Sequence, residues 1–306
     1  MRYVMNKKMR CGFLLIISID LISCDGSGGS SSSTTSSTPI TPSISAFTTW
    51  SATTPNVPVA MTGGISSSID LIGNISQSDS AGAGTFNRDA SNYFTLINPT
   101  ASEGNSAIFS TALGDTLQSA FDGATTVTLN KAQATIGIFL NPTYYAFQYQ
   151  TYGAWGSYGN ATGNSFALSD GSASPVSAIP AIGGLSYSGG SAGYYVDKSK
   201  LSYVTNANMV ATLSSDSQKV IFSSSNTLLL GGPNGTATSN VNLDLTGTLA
   251  LVAGTNYFSG TVTANNGMTG KINGELYGPG VNEFGGTYAI FGSGAGTMVG
   301  SFGSKR

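Results

Sequence analysis

The sequence contains no histidine, only two cysteines, and very few charged side chains, which make up 8% of its 306 residues. Without histidine, most triad, zinc and haem chemistries lose their first candidate residue, because histidine is the usual general base and metal ligand. The scarcity of charge excludes a coiled coil or helical bundle. A formal net charge of −2 lacks the positive surface that neutralises phosphates, so we expect no nucleic-acid partner.

The chain begins with a segment that has the pattern of an export signal, residues 1–23. Its basic residues are Arg2, Lys7, Lys8 and Arg10. The apolar run at 12–22 is too short to span a bilayer and is typical of a signal peptide. The run ends in Leu21-Ile22-Ser23-Cys24, which resembles the bacterial lipobox, whose cysteine carries a diacylglyceryl group and becomes the mature N-terminus. We therefore predict that Cys24 is lipidated.

Two alternatives to an outer-membrane anchor stay open at this segment. The cysteine can be incidental to an ordinary signal peptide, and Asp25 resembles an inner-membrane retention signal of enteric bacteria. Cleavage before Cys24 would also remove Cys11, the other cysteine of the chain. The mature chain would then hold no pair that could form a disulfide.

Residues 24–45 are rich in Ser, Thr and Gly, and we predict that they form a flexible tether. Between 26 and 43 there is no charge and only one large apolar side chain, Ile40. Such a segment buries too little apolar area to offset its ordering entropy. A flexible chain of this length spans about 25 Å, which would hold the folded part away from the membrane.

From Phe47 onward, apolar residues mostly alternate with polar ones, which is the pattern of half-buried strands. Around the predicted type I′ turn at residues 265–267 the alternation is clearest. There Met268, Gly270, Ile272, Gly274 and Leu276 share one face, and Thr269, Lys271, Asn273 and Glu275 share the other. Glycine on an inward face lets a sheet bend sharply, so this pattern favours a small closed barrel.

Residues 46–142 are less regular, and we predict a small β-rich handle domain there. One stretch, residues 106–121, is ambiguous because its apolar residues also fit one face of a helix. Gly123 would end such a helix. We therefore expect one short helix in an otherwise all-β chain.

Three spaced motifs end the sequence. They are Gly274-Glu275-Leu276-Tyr277-Gly278-Pro279, Asn282-Glu283-Phe284-Gly285-Gly286-Thr287-Tyr288 and Gly300-Ser301-Phe302-Gly303-Ser304-Lys305-Arg306. They resemble the closing strands of the transferrin-binding protein B barrel family, and stretches at 152–155, 184–197 and 258–261 are similar to earlier strands of that barrel. The resemblance covers about residues 143–306, and the motifs occur in the same order as in the family.

The resemblance implies an eight-stranded, up-and-down antiparallel barrel over residues 143–306, preceded by the handle. It also implies a lipid-anchored surface protein of a Gram-negative bacterium. Known members bind transferrin, haem carriers or complement factor H. Transferrin-binding proteins carry two such lobes, whereas this chain has room for one, so transferrin itself is not carried over. A barrel ending of this kind also fits recognition by the outer-membrane translocator called the surface lipoprotein assembly modulator.

The resemblance gives structural roles to ten motif residues. They are Tyr277, Gly278, Pro279, Glu283, Gly285, Gly286, Phe302, Gly303, Lys305 and Arg306. We expect Glu283 to accept backbone N–H bonds from the Gly-Pro turn before it. Lys305 and Arg306 are expected to pair with acids at the end of the barrel.

The densest aromatic cluster is a candidate binding patch. It comprises Tyr144, Tyr145, Tyr149, Tyr152, Trp155 and Tyr158. The alternative is ordinary alternation along a first barrel strand, with half of the rings packed inside. We expect no cofactor and no metal, although a tyrosine phenolate as haem ligand is a second alternative for this cluster.

The acidic residues show no spacing that selects a catalytic pair. We therefore predict a non-enzymatic surface lipoprotein that binds an extracellular protein or a small ligand, such as an iron source, through handle and barrel loops. One rival is an envelope enzyme that acts on glycans through two carboxyl groups. The other is a purely structural envelope lipoprotein.

Overall fold

The computed structural model describes residues 63–78, 85–88, 94–97, 106–109, 115–120, 124–130, 132, 134–140, 144–179, 183–232 and 235–306. The predicted signal peptide, the lipidation site Cys24 and the tether lie outside the described residues. Within these ranges the regular elements are β-strands and two short 3-10 turns, Val176–Ala178 and Val241–Leu243. No described helix has the length and apolarity that a membrane crossing requires.

Nineteen strands make up the described part of the chain. They are β1 (Gly63–Ile69), β2 (Ile75–Ser78), β3 (Thr85–Arg88), β4 (Phe94–Ile97), β5 (Ser106–Phe109), β6 (Thr116–Ala120), β7 (Thr125–Asn130), β8 (Thr135–Leu140), β9 (Gln150–Ser157), β10 (Ser165–Gly171), β11 (Ser186–Val196), β12 (Ser202–Leu213), β13 (Lys219–Leu230), β14 (Thr238–Ser239), β15 (Leu245–Leu251), β16 (Tyr257–Ala264), β17 (Thr269–Tyr277), β18 (Glu283–Gly292) and β19 (Gly296–Lys305).

Eight of these strands close into an antiparallel barrel. The order is β11-β12-β13-β15-β16-β17-β18-β19, each strand pairs with the next, and β19 pairs back onto β11. The predicted up-and-down barrel of eight strands is therefore confirmed. Closure gives each of these eight strands a partner on both sides, which removes the aggregation hazard of an exposed barrel edge in a chain with so little charge.

The barrel is filled by the inward residues of its strands. Phe284 lies at the centre of this core, with ring centroids 5.6 Å from Phe302 and 5.9 Å from Phe258. Met268 and Ile272, which the alternation placed inside, are fully buried in the same core. The inward prediction for β17 is therefore confirmed.

The hairpin before β17 differs in detail from the predicted type I′ turn. The Gly267 N–H donates to the carbonyl of Ala264 at 2.9 Å, and Gly267 has a φ of +88°. Neither Asn265 nor Asn266 has a positive φ, which a type I′ turn requires at both central positions. The prediction of turn type is wrong, since glycine alone takes the left-handed conformation here.

A second sheet has seven strands in the order β2-β1-β10-β9-β8-β7-β6, all antiparallel, and β3, β4 and β5 form a third. β9, which holds Tyr152 and Trp155, pairs with β10 in the seven-stranded sheet, and the barrel begins at β11.

The predicted helix at 106–121 is wrong, because β5 pairs with β4 and β6 pairs with β7. A strand needs only local alternation, whereas a helix through Gly114 would bear the unfavourable backbone entropy of glycine.

Candidate interaction surface

The seven-stranded sheet packs against the outer wall of the barrel at β11, β18 and β19, and we call this contact the seam. Apolar side chains from both sheets meet in it. Ile69, Ile138 and Ala154 of the seven-stranded sheet are buried with Tyr194 and Val299 of the barrel. Since this packing is continuous, the seam holds the two sheets in one relative position.

A row of three outward glycines runs across the barrel wall within the seam. Gly303 of β19 lies between Gly190 of β11 and Gly285 of β18 in the strand register. A Cβ on Gly303 would stand 2.7 Å from Cδ1 of Tyr152, and one on Gly285 would collide with the side chain of Gln150. The row is thus a groove that receives side chains of β9, which explains two of the motif glycines.

Glu283 joins the barrel to the residues before β9. Its Oε1 accepts from the Gln148 N–H at 2.6 Å and its Oε2 from the Tyr149 N–H at 3.1 Å. The predicted acceptor role is right, but the predicted donors in the Gly-Pro turn are wrong. Burial raises the pKa of Glu283 to about 7, although these donors and the neighbouring Lys305 act in the opposite direction.

Arg306 and Tyr277, two other motif residues, also make polar contacts in this region. The Arg306 guanidinium donates to the carbonyl of Gly280 at 3.0 Å, so it bonds to a backbone carbonyl of the β17–β18 turn and not to the acid that was predicted. The Tyr277 hydroxyl lies 3.3 Å from Oγ of Ser169 in β10. Burial and the neighbouring Glu275 carboxyl raise the pKa of Tyr277.

Two further buried acids lie near the seam, on different faces of the seven-stranded sheet. A Cβ on Gly63 would stand 2.8 Å from Oε1 of Glu275, whereas one on Gly64 would stand 3.0 Å from Oδ1 of Asp170. Successive residues of a strand point to opposite faces, so Asp170 points away from the barrel. Burial raises the pKa of Asp170, opposed by the Gly171 N–H and reinforced by Glu275.

These buried acids do not form the open pair that glycan cleavage needs. Asp170, Glu275 and Glu283 are all buried, and the sheet separates the first from the second. A glycosidase pair must flank a bond of a bound sugar. Glu275 and Asn273 lie on the outward face of β17 and are nevertheless buried, and Gly63 of β1 lies against Glu275. No group of three or more Asp, Glu, His or Cys suited to a metal ion occurs among the described residues.

At one end of the seam, loops of both sheets interlock. The β9–β10 loop bonds to the β11–β12 turn: the Ala161 N–H donates to the Lys200 carbonyl at 2.8 Å, and the Ser202 N–H to the Gly159 carbonyl at 2.9 Å. These are backbone bonds, so the relative position of the two loops is independent of side-chain rotamers. We call the surface made by residues 70–74, 158–164 and 197–201 the rim.

The β1–β2 turn completes the rim. A Cβ on Gly73 would stand 2.7 Å from Cδ1 of Phe291, so this turn rests on a ring of β18. Oδ1 of Asp70 accepts from the backbone N–H groups of Ile72 and Asn74, each at 2.9 Å. Partial burial raises the pKa of Asp70, but these bonds outweigh it and lower the pKa overall. The turn is therefore held in a defined conformation.

Apolar side chains stand out from the rim. The exposed fraction is 75% for Ile72, 43% for Leu201 and 39% for Tyr158. Lys198 and Lys200 lie exposed beside Leu201. Apolar and aromatic anchors within a polar surround are the usual composition of a protein-binding surface.

The structure distributes the predicted aromatic patch over three environments. Tyr152 and Trp155 are buried and point to opposite faces of β9, since they are three residues apart. Tyr158 lies on the rim. Tyr144, 52% exposed, and the half-buried Tyr145 and Tyr149 precede β9, at the other end of the strand. The six residues therefore do not form one continuous patch.

Comparison with solved structures finds transferrin-binding protein B of Haemophilus parasuis, at 17% identity and a TM-score of 0.46, covering 79% of this chain and 44% of that one. Transferrin-binding protein B of Neisseria meningitidis matches at 18% identity and a TM-score of 0.42, covering 80% of this chain and 43% of that one. The N-lobe of lactoferrin-binding protein B of Moraxella bovis matches at 12% identity and a TM-score of 0.37, covering 81% of this chain and 99% of that one.

The chain resembles a lobe of transferrin-binding protein B. It spans less than half the length of the Haemophilus and Neisseria proteins, and at these identities the likeness concerns the fold alone. No family model matches the sequence, and no curated protein does so either. The matched structures are of the family that the C-terminal motifs resemble.

The rim is the part of the candidate site that sequence reasoning missed. Ile72 and Leu201 are single apolar residues in polar turns, and such residues are common on any surface. The only local signal is the Asp70-Leu71-Ile72-Gly73-Asn74 sequence, in which Asp and Gly predict a turn with an apolar residue at its tip. Nothing local indicates that this turn meets the barrel.

Proposed function

We propose that this chain is a lipid-anchored surface protein of a Gram-negative bacterium, which binds an extracellular protein through the rim and catalyses no reaction. The observation that carries the proposal is the rim itself. Its exposed apolar side chains come from both sheets, where backbone hydrogen bonds join the β9–β10 loop to the β11–β12 turn and the β1–β2 turn rests on the Phe291 ring. A preformed arrangement loses little entropy on binding, which favours affinity.

Two features of the sequence support the anchor and the location. The Leu21-Ile22-Ser23-Cys24 motif follows an apolar run of signal-peptide length, and the uncharged stretch of 26–43 gives the folded part its reach. The resemblance of the C-terminal motifs to the transferrin-binding protein B family supports display on the outer membrane, with a surface lipoprotein translocator as a partner in export.

The experiment that tests the proposal compares apolar-to-acidic variants of the rim with a matched variant elsewhere. Ile72→Asp and Leu201→Asp alter the rim, and Ile221→Asp alters an exposed isoleucine on the barrel wall, 61% exposed, that belongs to neither the rim nor the seam. The full-length proteins are immobilised, exposed to host extracellular fluid, and the bound proteins are quantified by mass spectrometry.

We expect one or a few proteins to bind the wild type and the Ile221 variant equally, and to be lost from both rim variants. A desolvated apolar anchor replaced by a charge typically weakens binding by 2 kcal/mol or more, which is about thirtyfold. Equal binding by all four proteins would refute the rim as the binding surface. Loss from the Ile221 variant alone would move the site to the barrel wall.

A further inference from the structure

The end of the seam opposite to the rim is where the chain enters β1. Gly63, the first residue of β1, pairs with Gly171 at the end of β10, and a Cβ on it would stand 2.6 Å from Cβ of Ala173. Ile69, at the other end of β1, leads into the turn of the rim. The part of the sequence that holds the predicted lipidation site therefore joins β1 at the end away from the rim. We call the loops at this end the base, which consists of residues 144–149, 172–179, 252–256 and 278–282.

The loops of the base are held together by hydrogen bonds. The Gly278 N–H donates to the Ser172 carbonyl at 2.9 Å, and the Ser172 N–H donates to the Tyr149 carbonyl at 2.8 Å. The side-chain amide of Asn256 donates to the Ser174 carbonyl at 2.8 Å. Each of the four loops takes part in these bonds, so the base is one connected surface with contributions from both sheets.

The base exposes apolar side chains and has no charge in its loops. The exposed fraction is 52% for Tyr144, 49% for Val176 and 39% for Val252, which belong to three different loops. The four loops contain no Asp, Glu, Lys or Arg, whereas the turns of the rim contain both acids and lysines. Tyrosine and aliphatic side chains without neighbouring charge are typical of a surface that enters the boundary between lipid headgroups and acyl chains.

The charges that border the base favour an anionic surface. Arg306 is exposed, and its guanidinium donates to the carbonyl of Gly280 within the base. Lys219 and Asp216 are exposed beside the β15–β16 loop, but the Asp216 carboxylate accepts from the Ser214 hydroxyl. Two cations therefore stand against one acid that is bonded within its own turn. Anionic lipid headgroups attract such cations.

The length of chain before β1 fits the same arrangement. Cys24 precedes Gly63 by 39 residues, and a flexible chain of that length would span about 35 Å. The 12 residues of β12 alone rise by about 40 Å along the strand. A lipid on Cys24 thus leaves the base within easy reach of the membrane, whereas contact by the rim would require the chain to extend past the length of the barrel.

We propose that the base docks on the headgroup layer of the membrane that holds the lipid anchor. The inference rests on the anchor given under the proposed function, and it concerns a surface different from the rim. Docking at the base points the rim away from the membrane. The rim is then presented to the extracellular fluid in a fixed orientation, and its loops stay clear of the headgroups.

The test uses the mature lipidated protein in vesicles of phosphatidylethanolamine and phosphatidylglycerol that contain a headgroup-quencher lipid. A fluorophore is attached at Ser177→Cys in the base or at Ser199→Cys on the rim, since both serines are exposed. Sedimentation with the vesicles reports the anchor, and quenching of the fluorophore reports docking. We expect strong quenching at position 177 and little at position 199.

Two valines provide a matched pair of variants. Val176 and Val241 are each the first residue of a 3-10 turn and are 49% and 51% exposed, but Val241 lies beside the β16–β17 hairpin at the other end of the barrel. Val176→Asp should lower the ratio of docked to undocked protein about tenfold, because an apolar side chain leaves the lipid boundary. Val241→Asp should leave the quenching at position 177 unchanged.

Each result decides the proposal. Weak quenching at position 177 in protein that sediments with the vesicles overturns it, as does equal or stronger quenching at position 199. Quenching at position 177 that survives both Val176→Asp and Val252→Asp also overturns it, because the base would then be near the membrane without docking. If the protein does not sediment, the anchor fails. Docking is then decided by the same quenching with a hexahistidine tag at residue 24, bound to nickel-chelating lipids. Binding by the rim is measured separately, so the failure of docking leaves the proposed function standing.

Discussion

Gly274 of β17 offers the sharpest test of how the barrel is packed, through substitution by valine. A Cβ at this position would stand 2.7 Å from Cε2 of Phe284, which is closer than real Cβ atoms approach a neighbour. Thr269 lies in the same strand with its side chain exposed. Thr269→Val therefore introduces the same residue into the same strand without entering the core.

The magnitude depends on whether Phe284 can move aside. Its ring is fully buried, with Phe258, Phe302 and Tyr187 at centroid distances of 5.9, 5.6 and 6.0 Å. Overpacking of a filled core costs about 1–3 kcal/mol, and we expect Gly274→Val at the upper end of that range because the obstructing ring is enclosed on several sides. Thr269→Val should change the free energy of unfolding by no more than about 0.5 kcal/mol.

Equilibrium denaturation in urea measures the free energy of unfolding of both variants. The comparison requires that this free energy fall with urea concentration at the same slope in each. A double variant adds a check, because Phe284→Leu should recover part of the loss caused by Gly274→Val and little or none of any loss caused by Thr269→Val. If the two valine variants are equally stable, Gly274 does not face the core. Glycine would then have no part in closing the barrel.

Three further predictions concern the seam, the anchor and the buried acid. Gly303→Ala should destabilise the seam by about 1–3 kcal/mol, and faster proteolysis of β9 would reveal it. Gly294→Ala is the control and should have no such effect, because a Cβ there would meet no atom within 4 Å. Cys24→Ser should abolish incorporation of labelled palmitate, and equal labelling would refute lipidation. Burial raises the pKa of Asp170, so its ionisation opposes folding. Asp170→Asn should therefore raise the free energy of unfolding by an amount that grows with pH, as measured by chemical denaturation at several pH values.

The sequence predicted what depends on neighbours along the chain. The alternation of Met268, Ile272 and Thr269 gave the inward face of β17, since successive side chains of any strand alternate. The same alternation shows that β9 is a strand but not which sheet it joins. At 106–121 the apolar spacing fitted both helix and strand, and pairing with β4 and β7 decided the outcome.

The candidate site was less predictable because its contacts join distant parts of the chain. The acceptor role of Glu283 could be anticipated because it is an acid within a motif. Its donors could not, because Gln148 lies 135 residues away in the sequence. The rim needs the β1–β2 turn to meet Phe291, which no local pattern encodes. The aromatic patch was predicted because its residues are close together in the sequence. In the structure, β9 places them on opposite faces and at opposite ends.

The position of β19 has a consequence for how the protein matures. β19 provides Gly303, on which Tyr152 rests, and it joins β11 to β18. Because a chain is synthesised from its N-terminus, β9 and β10 are available before the wall that they pack against is complete. Until β19 has been synthesised, Tyr152 and Gln150 have no groove to occupy. Such late, long-range closure is slow, so the face of β9 that packs in the seam stays exposed during this interval.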